Sequence, residues 1–234
     1  MKTRGNVKRR YDSGSRRQAA AKRRTLILES ARRLFEGRGY SATTMEAIAG
    51  EAGVAVETVY LAFKTKASLL ARVVDVALAG DEAPVALPQR PMFREVRAER
   101  NQRRQLELLA RNARVVLERA GPLQWALLMA SGNEPEIGNL VERYNRRRLE
   151  VQTEFMRWVA ANGPLAAGVS VQTAGRTYWT LASIEVHHLL RSTLGRTARE
   201  YEQWLARTLK LALLPASGEP SRDVAGPSVR LRSH

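Results

Sequence analysis

The side chains whose types and spacing suggest a chemical role are concentrated in one short stretch, residues 43–66. Ala49, Gly53 and Val59 combine a small residue for a close helix crossing, a glycine suited to a left-handed turn and an apolar anchor. Together with a second anchor at Phe63, this spacing predicts a helix-turn-helix. An ordinary helical hairpin with a glycine turn is the alternative.

The outward face of the second helix of this unit would carry groups that can hydrogen-bond DNA. These residues are Val56, Glu57, Thr58 and Tyr60, followed by Lys64 and Lys66. Hydroxyls and lysines suit phosphate oxygens, which fix position and register. Glu57 could accept a hydrogen bond from a cytosine amine, and Val56 could pack on a thymine methyl group.

The elements that must position this unit are all predicted to be helical. A helical pattern begins near Arg16, and Thr43 with Glu46 predicts a capping box that opens the next helix. The stretch Gly80–Pro91 contains three prolines and marks a boundary. Beyond it, amphipathic helices are predicted at about 92–119, 123–131, 136–161, 171–193 and 197–214. Alternation of β-branched residues is nearly absent, so no sheet is expected.

These patterns predict an all-α chain with four parts. They are a disordered basic arm at 1–15, a helix-turn-helix DNA-binding domain at 16–80, a helical domain at 81–214 and a flexible tail at 215–234.

Composition limits the classes of function. The chain has 234 residues, 44% of them hydrophobic, and no cysteine, which excludes disulfides, thiolate nucleophiles and Cys-ligated metals. No apolar run is long enough to span a membrane, so we expect a cytoplasmic protein without a membrane partner. The first 24 residues hold ten Lys or Arg and one acidic residue. Such a segment attracts nucleic acid, although an anionic membrane surface or a merely solubilising arm remains an alternative.

One pair of residues has the spacing of part of a metal site. Glu185 and His188 have the i, i+3 spacing of half a di-iron site, but the only other histidines are His187 and His234. A polar cluster or a metal held between subunits is the remaining alternative. No phosphate loop, nucleophile elbow or HExxH motif is present. We therefore expect no enzyme, no metal and no cofactor, with an all-helical enzyme or an architectural nucleic-acid-binding protein as alternatives.

Between Ala31 and Leu70 the sequence resembles the tetracycline-repressor (TetR) family of transcription regulators. The resemblance is carried by Leu34-Phe35, Gly39-Tyr40, Thr43-Thr44, Ile48-Ala49, Ala52-Gly53-Val54, Thr58-Val59-Tyr60, Phe63 and Lys66-Leu69-Leu70. It implies an all-helical homodimer, usually a repressor, that binds a palindromic operator in double-stranded DNA. It also implies that a small-molecule effector in the C-terminal domain releases the DNA; the sequence does not identify this effector.

The resemblance assigns DNA contacts to Thr44, Val56, Glu57, Thr58, Tyr60 and Lys66. Two residues depart from the family pattern. Ala55 replaces a common serine, which removes a helix N-cap worth about 1 kcal/mol. Glu57 replaces a small residue, which affects how closely the backbone can approach the groove.

In the C-terminal half, seven residues are candidates to line an effector pocket: Trp125, Met129, Tyr144, Phe155, Trp158, Tyr178 and Trp179. An ordinary structural core explains each of them as well. The helices at about 171–193 and 197–214 carry apolar stripes formed by Tyr178, Leu181, Ala182 and Leu189 and by Tyr201, Leu205, Leu209 and Ala212. The resemblance implies that these stripes form the homodimer interface, and an intramolecular core is the alternative.

Overall fold

Helices form every regular element in the part of the chain that the computed structural model describes, residues 6–216, with only the backbone described for residues 6–13. The α-helices are α1 (Asn6–Arg38), α2 (Met45–Ala52), α3 (Val56–Phe63), α4 (Lys66–Ala79), α5 (Pro91–Ala98), α6 (Gln102–Ser131), α7 (Pro135–Ala160), α8 (Val171–Leu181), α9 (Ile184–His188) and α10 (Ala198–Leu213). A 3₁₀ turn at Leu87–Gln89 and a π-helical turn at Leu189–Thr193 complete the set. The all-α prediction is confirmed. None of the helices between residues 6 and 216 combines the length and apolar character required to cross a membrane.

The first helix begins ten residues earlier than the sequence pattern indicated. It starts at Asn6, so residues 6–15, predicted as part of a disordered arm, are helical. Alanine, arginine, lysine and glutamine dominate residues 16–24, whose high helix propensity supports the following part of α1 without an apolar stripe. The rest of the predicted arm, 1–5, and the predicted tail beyond residue 216 lie outside the described residues.

The segment predicted as a boundary, Gly80–Pro91, follows the end of α4. Gly80 adopts a left-handed conformation with a φ of 96°, and the chain is non-helical from there to Arg90 except for the 3₁₀ turn. Arg119 of α6 donates to the carbonyl oxygens of Ala77 and Leu78 at 2.5 and 2.8 Å. These carbonyls have no partner within α4, so the guanidinium caps the helix and fastens it to α6.

One predicted helix break is absent. Two helices were expected on either side of Gly121-Pro122, but α6 runs through both residues. Pro122 removes one backbone hydrogen bond. Leu117 before it and Leu123 after it are both buried, so side-chain packing on either side keeps the helix continuous. The chain breaks instead between α5 and α6, where Asn101 caps α6 by accepting from the Arg104 N–H at 3.0 Å.

One unpredicted break divides the helix expected at 171–193. The chain leaves the helix after Leu181, and Ser183 then caps α9 by accepting from the Val186 N–H at 3.2 Å. The last helix, α10, matches the helix predicted at about 197–214. Thr197 and Glu200 form a capping box at its start.

Two hydrophobic cores hold the fold together. The first core joins α1 to α4 with the second half of α6 and the first half of α7, including Leu123 and Ile137. The second core joins α5, α8 and α10 with the other halves of α6 and α7, including Leu109 and Phe155. Both long helices therefore pass through both cores, and packing continues across the boundary at Gly80–Pro91.

Candidate DNA-binding surface

A left-handed turn at Gly53 joins α2 to α3. Its φ is 66°, and the Val54 N–H donates to the Ala49 carbonyl at 3.0 Å, which closes the end of α2 as in a Schellman motif. Ala49 is buried, as expected for a small residue at a close crossing. The predicted helix-turn-helix and its glycine turn are confirmed.

The N-cap of α2 differs by one residue from its prediction. Thr44, not Thr43, caps the helix by accepting from the Ala47 N–H at 3.1 Å. Thr43 is fully buried, and its hydroxyl lies 2.7 Å from the Gly39 carbonyl oxygen. A capping box with Glu46 is therefore wrong, because the predicted partner is used to close the loop before α2. Thr44 is exposed at the start of α2.

The recognition helix α3 has two distinct faces. Val59 and Phe63 are buried in the first core and fix the helix against α1 and α2. On the other side Glu57 is exposed, Tyr60 is 45% exposed and Leu61 is 87% exposed. The predicted inward and outward positions of these residues match the structure.

Two predicted DNA contacts lie at the edge of this face. Val56 and Thr58 are half-buried, and Val56 packs against the first core. Ala55 is the N-cap of α3 and provides no side-chain hydrogen bond. The start of α3 therefore lacks the cap that its replaced serine would have supplied.

The two lysines after α3 have different environments. Lys64 is exposed with φ 61°, and the Thr65 N–H donates to the Phe63 carbonyl at 2.7 Å, which makes a γ-turn centred on Lys64. Lys66 donates to the Tyr40 carbonyl at 3.0 Å, and its ammonium lies 4.1 Å from the centre of the Tyr40 ring. Lys66 therefore fastens the start of α4 to the loop after α1. Burial, with Glu136 and Glu134, raises the pKa of Tyr40 to about 12.

Basic side chains of α1 lie next to the recognition helix. Arg17, Lys22 and Arg23 are exposed, and the Arg24 guanidinium lies 4.5 Å from the centre of the Phe63 ring. This contact brings the basic end of α1 to the C-terminal end of α3. A positively charged surface beside an exposed recognition helix suits the phosphate backbone of a duplex.

The structure separates the candidate pocket residues. Tyr144 reaches the first core, where its hydroxyl lies 2.9 Å from the Ala71 carbonyl and 2.8 Å from Asp75 Oδ1. Phe155 and Tyr178 are buried in the second core, and Met129 is 55% exposed.

The three tryptophans of that set also have separate partners. Trp125 stacks on His188 with ring centres 3.8 Å apart. Trp158 donates to Glu154 at 2.9 Å, and Trp179 donates to the Asn145 carbonyl at 3.2 Å. Two surface clefts, of about 420 and 270 Å³, have none of the seven residues in their walls. Neither of these two clefts therefore brings the seven residues together.

The apolar stripes expected at a dimer interface mostly face the chain's own core. Tyr178, Tyr201, Leu205 and Leu209 are at most 2% exposed within one chain. Here the intramolecular alternative is correct, because α8 and α10 must cover α6 and α7 before they can meet a second copy. Leu189 remains 51% exposed.

Glu185 and His188 have different surroundings. His188 stacks on Trp125, and Glu185 is exposed. Among the residues that the structure describes, no three His, Asp or Glu side chains are grouped so that they could hold a metal ion.

The sequence analysis missed a polar cluster inside the second core. Arg148 and Gln152 lie on α7, His187 on α9 and Tyr201 on α10. Gln152 Oε1, His187 Nε2 and the Tyr201 hydroxyl have no hydrogen-bond partner among the described residues. A signal was present, because positions 148 and 152 share a helix face with the buried Phe155.

This fold and this surface define a helix-turn-helix protein with a larger helical domain. Residues 27–73 match the model of the bacterial regulatory proteins of the tetR family. The chain therefore carries the DNA-binding domain of TetR-family transcription regulators, and the resemblance found in the sequence is confirmed.

Solved structures share the whole fold. NalD, the secondary repressor of the MexAB-OprM multidrug efflux pump in Pseudomonas aeruginosa, is 21% identical with a TM-score of 0.65, covering 84% of this chain and 98% of NalD. A protein described as a transcriptional regulator, from Saccharomonospora viridis in complex with choline, is 19% identical with a TM-score of 0.62, covering 81% and 96%. A TetR-family protein from Mesorhizobium loti MAFF303099 is 20% identical with a TM-score of 0.61, covering 83% and 98%. No curated protein matches the sequence.

Proposed function

We propose that this protein is a transcription repressor that binds a palindromic operator in double-stranded DNA as a homodimer and releases it when a small molecule binds. The observation that carries this proposal is the exposed Glu57–Tyr60 face of α3, which stands on a packed base beside the basic surface of α1. Residues 16–80 serve as the DNA-binding domain and 81–214 as the effector and dimer domain. The protein acts in the cytoplasm and is neither an enzyme nor dependent on a cofactor.

The groups on this surface have separate tasks. Thr44, Thr58, Tyr60, Lys64 and Lys66 contact phosphates, which fix the protein on the duplex. Tyr60 contributes most among them, because its hydroxyl extends from the exposed face of a helix whose other side is packed.

Residues at the start of α3 contact the DNA bases. Glu57 accepts a hydrogen bond from a cytosine amine, and Val56, at the edge of the face, packs on a thymine methyl group.

Dimerisation uses the outer faces of the helices at about 171–193 and 197–214. Leu189 and Leu211 in these segments and Leu194 between them are between 51% and 78% exposed, and a second copy would cover them. Two recognition helices then meet half-sites one helical turn apart, as a palindrome requires.

Two solved relatives support repression and ligand control. NalD is named as a repressor, and the protein from Saccharomonospora viridis was solved with a small organic molecule. Ligand control also agrees with the polar cluster in the second core, since unpartnered polar atoms are uncommon inside a folded protein.

The test is selection of an operator from random duplex DNA by the full chain, followed by measurement of its affinity. Tyr60→Ala should weaken operator binding about 10- to 100-fold without changing the thermal midpoint, because the side chain supports no core. Tyr60→Phe separates the hydroxyl from the ring, and Val85→Ala, an exposed change between α4 and α5, should leave operator affinity unchanged. Equal affinity for all sequences would identify an architectural DNA-binding protein instead.

A further inference from the structure

Two of the buried polar atoms of the second core that no described residue satisfies, those of Tyr201 and His187, belong to rings in contact. Tyr201 is 0% exposed and its hydroxyl has no hydrogen-bond partner; His187 is 9% exposed and its Nε2 has none. Their rings are in edge-to-face contact, with centres 4.8 Å apart. Leaving such an atom unpaired costs about 1–3 kcal/mol. Such unpaired groups are few in folded proteins, and a functional role is one reason for them.

A cation, Arg148 of α7, lies on the side of the cluster that carries Tyr201. The Arg148 guanidinium is held over the Trp179 ring, 4.6 Å from its centre, and donates to the Ala182 carbonyl at 3.2 Å. No carboxylate of residues 14–216 forms an ion pair with it. Its charge opposes the rise that burial causes in the pKa of Tyr178 and Tyr201, which places it on their side of α7.

The charge of this cluster is set by the arginine alone. Burial, and then Arg191, lowers the pKa of His187 to about 4 against the opposing influence of Glu118, so its imidazole is neutral near pH 7. Burial also lowers the pKa of Arg148, which leaves an arginine charged at any ordinary pH. The cluster therefore presents one positive charge, one hydroxyl and one neutral imidazole.

The element that covers this cluster is short and irregular at both ends. Helix α9, which carries His187, has five residues between the break at Ala182-Ser183 and the π-helical turn Leu189–Thr193. π-Helical turns occur frequently at functional sites. Displacing α9 alone would open the cluster without unfolding α7 or α10.

We propose that Arg148, His187 and Tyr201 form the effector site, and that the effector is a small organic monocarboxylate with an aromatic body. This proposal rests on the proposed ligand-responsive function and names its ligand class. A carboxylate forms two parallel hydrogen bonds with a guanidinium, while Tyr201 and His187 bind its remaining oxygen or a neighbouring polar substituent. The rings of Trp179 and Tyr178 supply apolar walls.

The same chemistry excludes a cationic ligand such as choline. A quaternary ammonium group would meet the Arg148 guanidinium, and the nearby Glu185 carboxylate is exposed and outside ion-pair distance. Glu185 instead acts against the effector, because its negative charge opposes the lowering of the Arg148 pKa by burial and competes for the guanidinium.

A route from this site to the DNA-binding unit lies on one helix. Tyr144 precedes Arg148 by one turn of α7, and its hydroxyl bonds α4 at Ala71 and Asp75. Only two residues separate the end of α3 from the start of α4. A carboxylate that pulls on Arg148 therefore moves the helix that also holds α4.

The experiment titrates benzoate into the full-length protein, with benzamide as a neutral match and choline as a cationic one, and follows the thermal midpoint and operator release. Benzoate should raise the midpoint of the wild type and release the operator, and the other two should do neither. Arg148→Met should weaken benzoate binding about tenfold or more. Glu185→Gln should strengthen it severalfold.

Tyr201→Phe separates the binding role from a structural one. It removes a hydroxyl that has no partner, so the midpoint of the ligand-free protein should stay the same or rise, while benzoate binding weakens severalfold. A lower ligand-free midpoint, no response to benzoate, or an equal response in Arg148→Met would each overturn the proposal. If a specific operator is bound but benzoate has no effect, only this inference fails. If no specific operator is bound, the proposed function fails.

Discussion

The two cores of this protein differ in the buried hydroxyl and imidazole groups that lack hydrogen-bond partners, although Arg72 Nε of α4 also lacks one. In the first core the hydroxyl of Thr43 lies 2.7 Å from the Gly39 carbonyl and the hydroxyl of Ser30 accepts from Arg33 at 3.1 Å. In the second core Tyr201 and His187 keep atoms without partners. These two buried hydroxyls of the first core are satisfied, whereas the second core retains unused hydrogen-bonding groups.

This difference follows from the direction in which each region meets its partner. A duplex is too large to enter a fold, so the DNA-binding groups must project outward from a rigid base. A small molecule is surrounded by protein, so its partners must be buried beforehand. The long helices α6 and α7 pass through both cores, and they allow an event in one region to affect the other.

The largest expected effect is on the support itself. Phe63→Ala should lower the free energy of unfolding by about 3–5 kcal/mol, because it removes a buried ring of the first core. Leu61→Ala on the same helix, where the side chain is 87% exposed, should change it by less than about 0.5 kcal/mol. Chemical denaturation followed by circular dichroism measures both.

The same variant tests whether the two regions unfold together. All four tryptophans lie beyond residue 124, so their fluorescence reports mainly on the second core. Because α6 and α7 are shared, Phe63→Ala should shift the fluorescence and circular dichroism transitions by equal amounts. Two separate transitions would mean that the cores are independent and that the coupling route is absent.

Sequence alone predicted the first region better than the second, for a physical reason. The turn at Gly53 and the anchors Val59 and Phe63 are fixed by neighbours within about ten residues. The continuity of α6 through Pro122 instead depends on packing against distant helices, which local punctuation cannot reveal.

For a related reason, the sequence could not assign the C-terminal stripes to the chain's own core or to an interface. Periodicity identifies the apolar face of α10, such as Leu205 and Leu209, but not whether that face meets the same chain or another. The unpartnered atoms of His187 and Tyr201 are defined by what surrounds them in three dimensions. No sequence pattern contains that information.

The second expected effect tests the unpartnered state of His187. Its pKa is lowered from 6.5 to about 4 by burial and Arg191. Between these values the unfolded chain binds a proton that the folded chain does not. Stability contributed by the neutral imidazole is therefore present above pH 6.5 and lost as the pH falls toward 4. Unfolding free energies measured across this range should fall by about 3 kcal/mol more in the wild type than in His187→Gln. Parallel curves would show that the histidine can be protonated in the folded state.

The third expected effect tests the contact between the two regions. Tyr144→Phe should cost about 1–2 kcal/mol, because Asp75 and the Ala71 carbonyl lose their donor. Burial and Asp75 raise the pKa of Tyr144, so the hydroxyl stays a donor at any pH at which the protein folds. Operator affinity without effector should change little, whereas effector-induced release should weaken. Tyr178→Phe, which removes a hydrogen bond to Leu109 within the second core, is the matched control for stability.

The smallest expected effect concerns the one strained residue of the described DNA-binding region. Lys64 is the only non-glycine of the described residues with a positive φ, and the γ-turn that it forms is a strained conformation. Lys64→Gly and Lys64→Ala both remove the ammonium group, so both should weaken DNA binding alike and lower its salt dependence equally. Only glycine relieves the backbone strain. The glycine variant should therefore be about 0.5–1 kcal/mol more stable than the alanine variant, after allowing for the greater freedom of glycine in the unfolded chain. Equal stabilities would mean that the turn relaxes at no cost, and that strain has no part in holding Lys64 toward the duplex.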